Sequence, residues 1–313
     1  MTATVTGTLS GPEIVGPEAE AHLDWLTLTE ALEAGHHLPR AEVADTFLYR
    51  GKDTLLTRSA WIDGLGLAIK AASIFPGNPA AGLGSVNGVV NLLNDKTGVL
   101  EALVDFQLVT KWKTAGDSLL AARKLARPEA RRVLIIGAGK VAASMIAAYR
   151  AAFPAADFTI WNRSPEAARN LADASGATAV TDLETAVRRA EIIATTTMTQ
   201  SPVLQGEWLA PGTHVDLIGA YRPDMREADD AALRRARLFV DSRATTLHHI
   251  GEIKDPLERG VISEADIIAD YYDLPSGRFA RQSPEEITIC KNGGGAHLDL
   301  MVAQYALQAW RAR

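Results

Sequence analysis

The chain has 313 residues, 47% of them hydrophobic, and a formal charge of −6; that is enough to bury two modest cores, so two domains are expected. No Lys/Arg block forms a phosphate-tracking stripe and no apolar run approaches the roughly 20 residues of a bilayer span, so neither nucleic acid nor a membrane is an expected partner. Residues 1–17 lack a basic head followed by an apolar stretch, and Cys290 is the lone cysteine, so a cytoplasmic protein without intrachain disulfides or zinc thiolates is expected.

Taken in chain order, residues 1–115 set apolar segments such as 66–75 and 99–109 between Asp/Gly turns at 62–64 and 94–98, a pattern closer to α+β than to α/β. Lys111-Trp-Lys-Thr114 reads as a charged turn before a helix over 118–125. A more regular stretch begins after residue 128. Val-Leu-Ile-Ile at 133–136 is a buried strand entering Gly137-Ala138-Gly139, and the Ala-rich segment 141–153 has helical periodicity. A strand over 158–161 leads to Ser164 and Pro165, a helix opening in which Ser caps and Pro occupies the first turn. Helices about 182–189 and 229–236 then alternate with strands 192–195, 215–218 and 238–241. This βαβ spacing implies a doubly wound parallel sheet, an α/β domain from about 128 to 241. Leu298, Met301, Val302, Tyr305 and Ala306 form a helical stripe that can pack back on the first domain. The pairs His36-His37 and His248-His249 are adjacent, not three or four apart, so no metal site is expected.

Gly137, Ala138, Gly139, Lys140, Val141 and Ala142 spell G-x-G-x-x-A between that strand and helix, the dinucleotide fingerprint of a Rossmann domain. The first Gly permits the turn, the second lets backbone approach a diphosphate, and the helix end attracts the anion. Asn162, Arg163 and Ser164 end the second strand, where a carboxylate would hold the ribose diol of NAD; Arg163 and Ser164 suit a 2′-phosphate instead. NADP(H) is therefore favoured, with NAD(H) as the alternative. Thr195, Thr196 and Thr197 after the fourth strand, and Ile218 and Gly219 after the fifth, lie where ribose or nicotinamide would be touched.

Six segments together resemble the ornithine cyclodeaminase and mu-crystallin family over nearly the whole length. They are Leu67-Ala-Ile-Lys70 with Phe75-Pro-Gly-Asn78, residues 92–105, Lys113-Thr-Ala-Gly-Asp-Ser118, the Gly-Ala-Gly turn, Ile218-Gly-Ala-Tyr-Arg-Pro223 and residues 287–299. The resemblance implies a homodimer in which residues 1–115, completed by 286–313, bind substrate and dimerise, with a Rossmann domain over 116–285. It implies enzymes acting on amino acids or their imines with nicotinamide cofactors: cyclodeaminases, alanine dehydrogenases or ketimine reductases. The family's active-site lysine falls on Lys70 and its carboxylate-binding arginine on Lys113, which keeps the charge but loses the bidentate fork. Tyr221 stands where cyclodeaminases carry an aspartate, which turns the expectation from cyclodeamination toward imine reduction, and 161–164 is similar to the NADPH segment of ketimine reductases.

The expected reaction is hydride transfer to a C=N bond beside a carboxylate, on a cyclic pyrroline or piperideine carboxylate or an open-chain imine such as iminosuccinate. Lys70 and Lys113 are the expected catalytic pair, clamping the carboxylate and supplying a proton. Arg58, with Arg50 behind it, is a candidate second cation for a dicarboxylate; Tyr221 and Asn292 are further substrate contacts, and Thr114 and Gly293 join the cofactor set. The glycine loop 292–295 is a flexible lead-in to a helix whose first N–H groups, from Ala296 onward, can be aimed at an anion or a nicotinamide carboxamide; Asp299 matches a family aspartate, and Cys290 reads as a small core residue. An amino-acid dehydrogenase, an ornithine cyclodeaminase and a non-catalytic NADPH-binding protein are the competing expectations.

Overall fold

The computed structural model describes residues 11–313, so the expectation about residues 1–17 falls largely outside the described residues. The first part runs β1 (Glu13–Val15), α1 (Trp25–His36), β2 (Glu42–Arg50), β3 (Asp53–Ile62), β4 (Gly66–Ile74), β5 (Val86–Leu93), β6 (Leu100–Asp105) and α2 (Phe106–Leu125). Its six strands form one sheet in the order β1-β6-β5-β4-β3-β2, parallel between β1 and β6 and antiparallel elsewhere. Period-two alternation sorts the faces. Ala60, Ile62, Ala68, Lys70 and Ala72 turn inward and are buried, while Leu55, Trp61 and Ile69 turn outward and are exposed.

The second part continues with β7 (Arg132–Ile136), α3 (Lys140–Ala152), β8 (Asp157–Trp161), α4 (Pro165–Ser175), β9 (Thr178–Ala179), α5 (Leu183–Arg189), β10 (Ile192–Thr195) and β11 (His214–Leu217). It ends with α6 (Asp230–Arg235), β12 (Arg237–Val240), α7 (Arg243–Thr246), α8 (Gly251–Glu258), β13 (Ile267–Ala269), β14 (Thr288–Lys291) and α9 (Ala296–Arg311). Eight parallel strands in the order β13-β12-β14-β11-β10-β7-β8-β9 make the doubly wound Rossmann sheet. Helix starts follow local chemistry: Asp24, Asp105, Ser164, Asp182 and Asp229 each cap by accepting the N–H three residues on, worth about 1 kcal/mol apiece.

Two segments depart from the sequence reading. Residues 111–114 are not a turn but the middle of α2, a 20-residue helix that crosses the boundary expected at 115/116. Lys111 points to solvent and Glu20, Trp112 stacks on Trp25 at 3.8 Å, and Lys113 points inward, so the two lysines occupy different faces of one helix. Residues 286–313 are divided: β14 inserts into the Rossmann sheet between β12 and β11, whereas α9 packs across the inner face of the first sheet beside α2. Helix α2 serves both cores, through Leu108, Val109 and Trp112 on one and Ala115, Leu119 and Ala122 on the other.

Candidate active site

The carboxyl ends of β7, β8, β10 and β11 form one crest, the edge at which parallel sheets bind ligands. Gly137 turns there with φ +123°, and a Cβ on it would sit 2.2 Å from Thr196 Oγ1, so both backbone and space demand glycine. Ala138 and Gly139 complete the turn, and Lys140 and Val141 open α3, whose N-terminus has no side-chain cap. A Cβ on Gly139 would meet nothing within 4 Å. An uncapped helix end above open space fits the diphosphate of a dinucleotide.

At the end of β8, Asn162 Nδ2 donates to the Ser164 carbonyl at 3.1 Å and the Ser164 hydroxyl caps α4. Arg163 is exposed and, among the described residues, has no carboxylate partner. The three threonines divide. Thr195 is fully buried with its hydroxyl turned to the Asp216 carbonyl, which corrects its expected place beside the cofactor: the side chain faces into the sheet. Thr196 is half-buried at the crest and donates to Ile136 O at 3.1 Å. Thr197 gives both its N–H (2.7 Å) and its hydroxyl (2.9 Å) to Glu227 Oε1. Ile218 donates its N–H to the Thr195 carbonyl, while Gly219 and Ala220 donate theirs to Glu227 Oε2.

Glu227 thus ties the β10 and β11 loops together with four hydrogen bonds. Buried Glu252 in turn accepts the N–H groups of Glu227 and Ala228, and burial together with the Glu227 charge pushes its carboxyl up to about 7. Neither glutamate was singled out from sequence: Asp-Met-Arg-Glu-Ala-Asp-Asp at 224–230 is a run of charges with no motif in it.

A buried charged cluster forms where the two halves meet. Lys70, 5% exposed, extends from the inner face of β4 and donates to Thr110 Oγ1 at 2.8 Å and Asp299 Oδ1 at 2.9 Å, lying 4.6 Å over the Phe106 ring. Lys113, 9% exposed, approaches the same Asp299 oxygen at 3.5 Å. Asp299, in the first turn of α9, is 1% exposed. Burial lowers the Lys70 ammonium to about 8, with Lys113 and Arg58 adding repulsion and Asp299 opposing. Burial works to raise the Asp299 carboxyl, but the charges of Lys113 and Lys70 override it and hold it below its ordinary value.

Beside this cluster opens a crevice of about 410 Å³ between the halves, walled by Phe47, Arg58, Tyr221, Thr245, Gly293 and Gly294 among others, a size suited to a small ligand. Arg58 is not a free cation: it grips Asp45 through three N···O contacts of 2.8–3.1 Å. Arg50 pairs with Asp53 on the outside. Asn292, expected against substrate, is instead buried with its amide on Asp117 and Ser118. In the glycine loop, Gly293 and Gly294 both donate their N–H groups to Asp241 Oδ2, so the Gly293 amide expected among the cofactor contacts is already engaged. Gly294 has φ +68°, and a Cβ there would lie 3.2 Å from Lys113 Nζ, so the loop's lack of side chains makes room for that amine. Thr114 donates back to Thr110 O along α2. Buried Cys290 is the core residue expected, and burial pushes its thiol well up. A larger groove of about 550 Å³ lies at the β7–β9 edge near Arg132 and Asp157, the opposite ends of these strands from the crest, and gathers no comparable cluster.

Residues 60–313 match the model of the ornithine cyclodeaminase/mu-crystallin family. The chain belongs to that family. A Delta(1)-pyrroline-2-carboxylate reductase of Paracoccus denitrificans is 49% identical over 295 residues, covering 92% of this chain and 93% of that one. The fold also superposes on the Delta(1)-pyrroline-2-carboxylate reductase of Thermococcus litoralis solved with NADH and L-proline (TM-score 0.86, 26% identity, covering 96% and 98% of the two chains). An archaeal alanine dehydrogenase dimer with bound NAD is similar to the same degree (TM-score 0.86, 28% identity, covering 96% of each).

Proposed function

We propose that this family member reduces the C=N bond of an α-imino acid to give the α-amino acid, using a reduced nicotinamide dinucleotide. The observation that carries the reading is the buried trio of Lys70, Asp299 and Lys113 beside a small crevice at the crest of a dinucleotide-binding sheet. Likeness to pyrroline-2-carboxylate reductases along more than nine-tenths of both chains supports it. When bound, the reduced nicotinamide supplies hydride to the imine carbon.

The chain's own residues do the rest. Lys70 and Lys113 receive the substrate carboxylate, fixing the imine carbon. An ammonium lowered to about 8 keeps most of its charge at neutral pH yet gives up a proton readily, so Lys70 keeps the imine nitrogen protonated. Asp299 holds the two amines together and offsets their repulsion. Glu227 and Asp241 fix the loops that form the crevice floor, leaving Tyr221 at its mouth. Oxidation of NADPH and NADH by a panel of cyclic and open-chain imino acids tests the reading; release of ammonia from ornithine as the main activity would replace it with cyclodeamination.

On the cofactor side, the unpaired Arg163 supports a preference for NADP(H), although the two solved relatives hold NADH and NAD. Arg163→Asp is expected to raise the KM for NADPH about tenfold or more while barely moving that for NADH, since only the former loses a charge-assisted contact to the 2′-phosphate. Equal changes for both cofactors would remove that role.

The reading includes a cytoplasmic homodimer. The outward face of the first sheet carries exposed Ile14, Leu48, Leu55, Trp61 and Ile69 in cross-strand register, an apolar surface of the kind that pairs with a second copy. Replacing Leu55, which stands opposite Leu48 on that face, by Asp is expected to halve the mass measured by sedimentation at micromolar concentration. An unchanged mass would place the contact between copies elsewhere.

A further inference from the structure

A row of charges crosses the inner face of the first sheet. Strand register sets Asp45 of β2 opposite Arg58 of β3, and Arg58 opposite Lys70 of β4. Arg58 uses Nε and Nη2 to reach both Asp45 oxygens at 2.8–3.1 Å, a fork-on-carboxylate geometry. Beyond Lys70 the row continues to Asp299 and Lys113. These five groups are three cations and two carboxylates, a balance of 3 − 2 = +1, which suits a single substrate carboxylate. Around Arg58 the crevice wall is largely hydrocarbon and aromatic: Val43, Phe47, Ile250 and Ala296.

We infer that Asp45 is a specificity-determining residue. By engaging Arg58 it withholds the guanidinium that would otherwise receive a second carboxylate, so the site takes monocarboxylic imino acids whose remaining part is small and apolar, such as a five- or six-membered ring. A dicarboxylic imine would have to set its second carboxylate against Asp45 with the guanidinium already engaged, an arrangement that rejects the wrong ligand by placing like charges together. Asp45 lies on an edge strand held by backbone pairing to β3 and is exposed to solvent, so its replacement leaves the core intact. The inference rests on the imine-reductase reading.

The test compares kcat/KM for Δ1-pyrroline-2-carboxylate with that for iminosuccinate generated from oxaloacetate and ammonia. It uses the wild type, Asp45→Asn, Asp45→Ser and the double variant Asp45→Asn/Arg58→Gln, with circular dichroism to check folding. The wild type is expected to prefer the cyclic monocarboxylate. Both single variants are expected to raise the dicarboxylate-to-monocarboxylate ratio about tenfold to a hundredfold, the effect of one charge-assisted hydrogen bond, and the double variant to return it to the wild-type value. A ratio unmoved in the folded single variants, a rise that survives loss of Arg58, or a wild type that takes both substrates equally overturns the inference while leaving imine reduction standing. A wild type inactive on both imines overturns the imine-reductase reading itself, and the inference with it.

Discussion

Lys70→Met is expected to lower kcat/KM for Δ1-pyrroline-2-carboxylate on the order of a thousandfold, within the range for losing a positioned proton donor, while NADPH and NADH still bind in a fluorescence titration. Methionine keeps most of the lysine stem, so the packing of that stem is largely preserved and the loss reports the amine, including its place over the Phe106 ring. That amine is held in place by Thr110 and Asp299 and pushed to about 8 by burial. The wild-type profile of kcat/KM should therefore fall as pH rises through about 8, because deprotonated Lys70 neither attracts the carboxylate nor donates a proton. A loss of less than tenfold, or an alkaline limb that survives in Lys70→Met, would take Lys70 out of the reaction.

Asp299→Asn should act on both stability and pH dependence. Removing one partner of a buried ion pair costs about 3–5 kcal/mol, and here the loss leaves two lysines facing each other, so the midpoint of urea unfolding should drop clearly. The sign of the pH effect follows from the surroundings of Lys70. Asp299 is the influence that favours its charged form, whereas burial, Lys113 and Arg58 all disfavour it. Without Asp299 the ammonium loses its proton at lower pH, and the alkaline limb of kcat/KM moves below its wild-type position near 8. Activity at pH 8 then falls more than activity at pH 6. A limb that stays in place would show that Asp299 is only a structural anchor for the helix.

The Rossmann half was legible because its signals are local. Val133 to Ile136 before Gly137 and Gly139, Ser164 ahead of Pro165, and the Asp182 and Asp229 caps each announce an element within a few residues. Lys70 and Lys113 were legible through the family resemblance, but their surroundings were not. Lys113 is flanked by Lys111 and Thr114, which read as a solvated turn; only Asp299, brought in by the last helix, makes burial of that amine tolerable. Asp45 and Arg58 meet solely through strand register, and Asn292 turns inward because Asp117 and Ser118 wait on α2. Thr195 was read as a crest residue because its sequence neighbours are; one residue of β-strand phase directs it into the sheet instead. Polar groups recruited over long sequence distances leave no local pattern, and those are the ones that build this site.

The unbroken α2 has a mechanical corollary. One rigid rod of 20 residues carries Lys113 at its middle and, a turn or two later, the Leu119 and Ala122 contacts that seat the nucleotide half. The spacing between Lys113 and those contacts is therefore fixed by helical rise, about 1.5 Å per residue. Variation in the crevice is then left to its other wall, where Val43, Asp45 and Phe47 of the outermost strand stand.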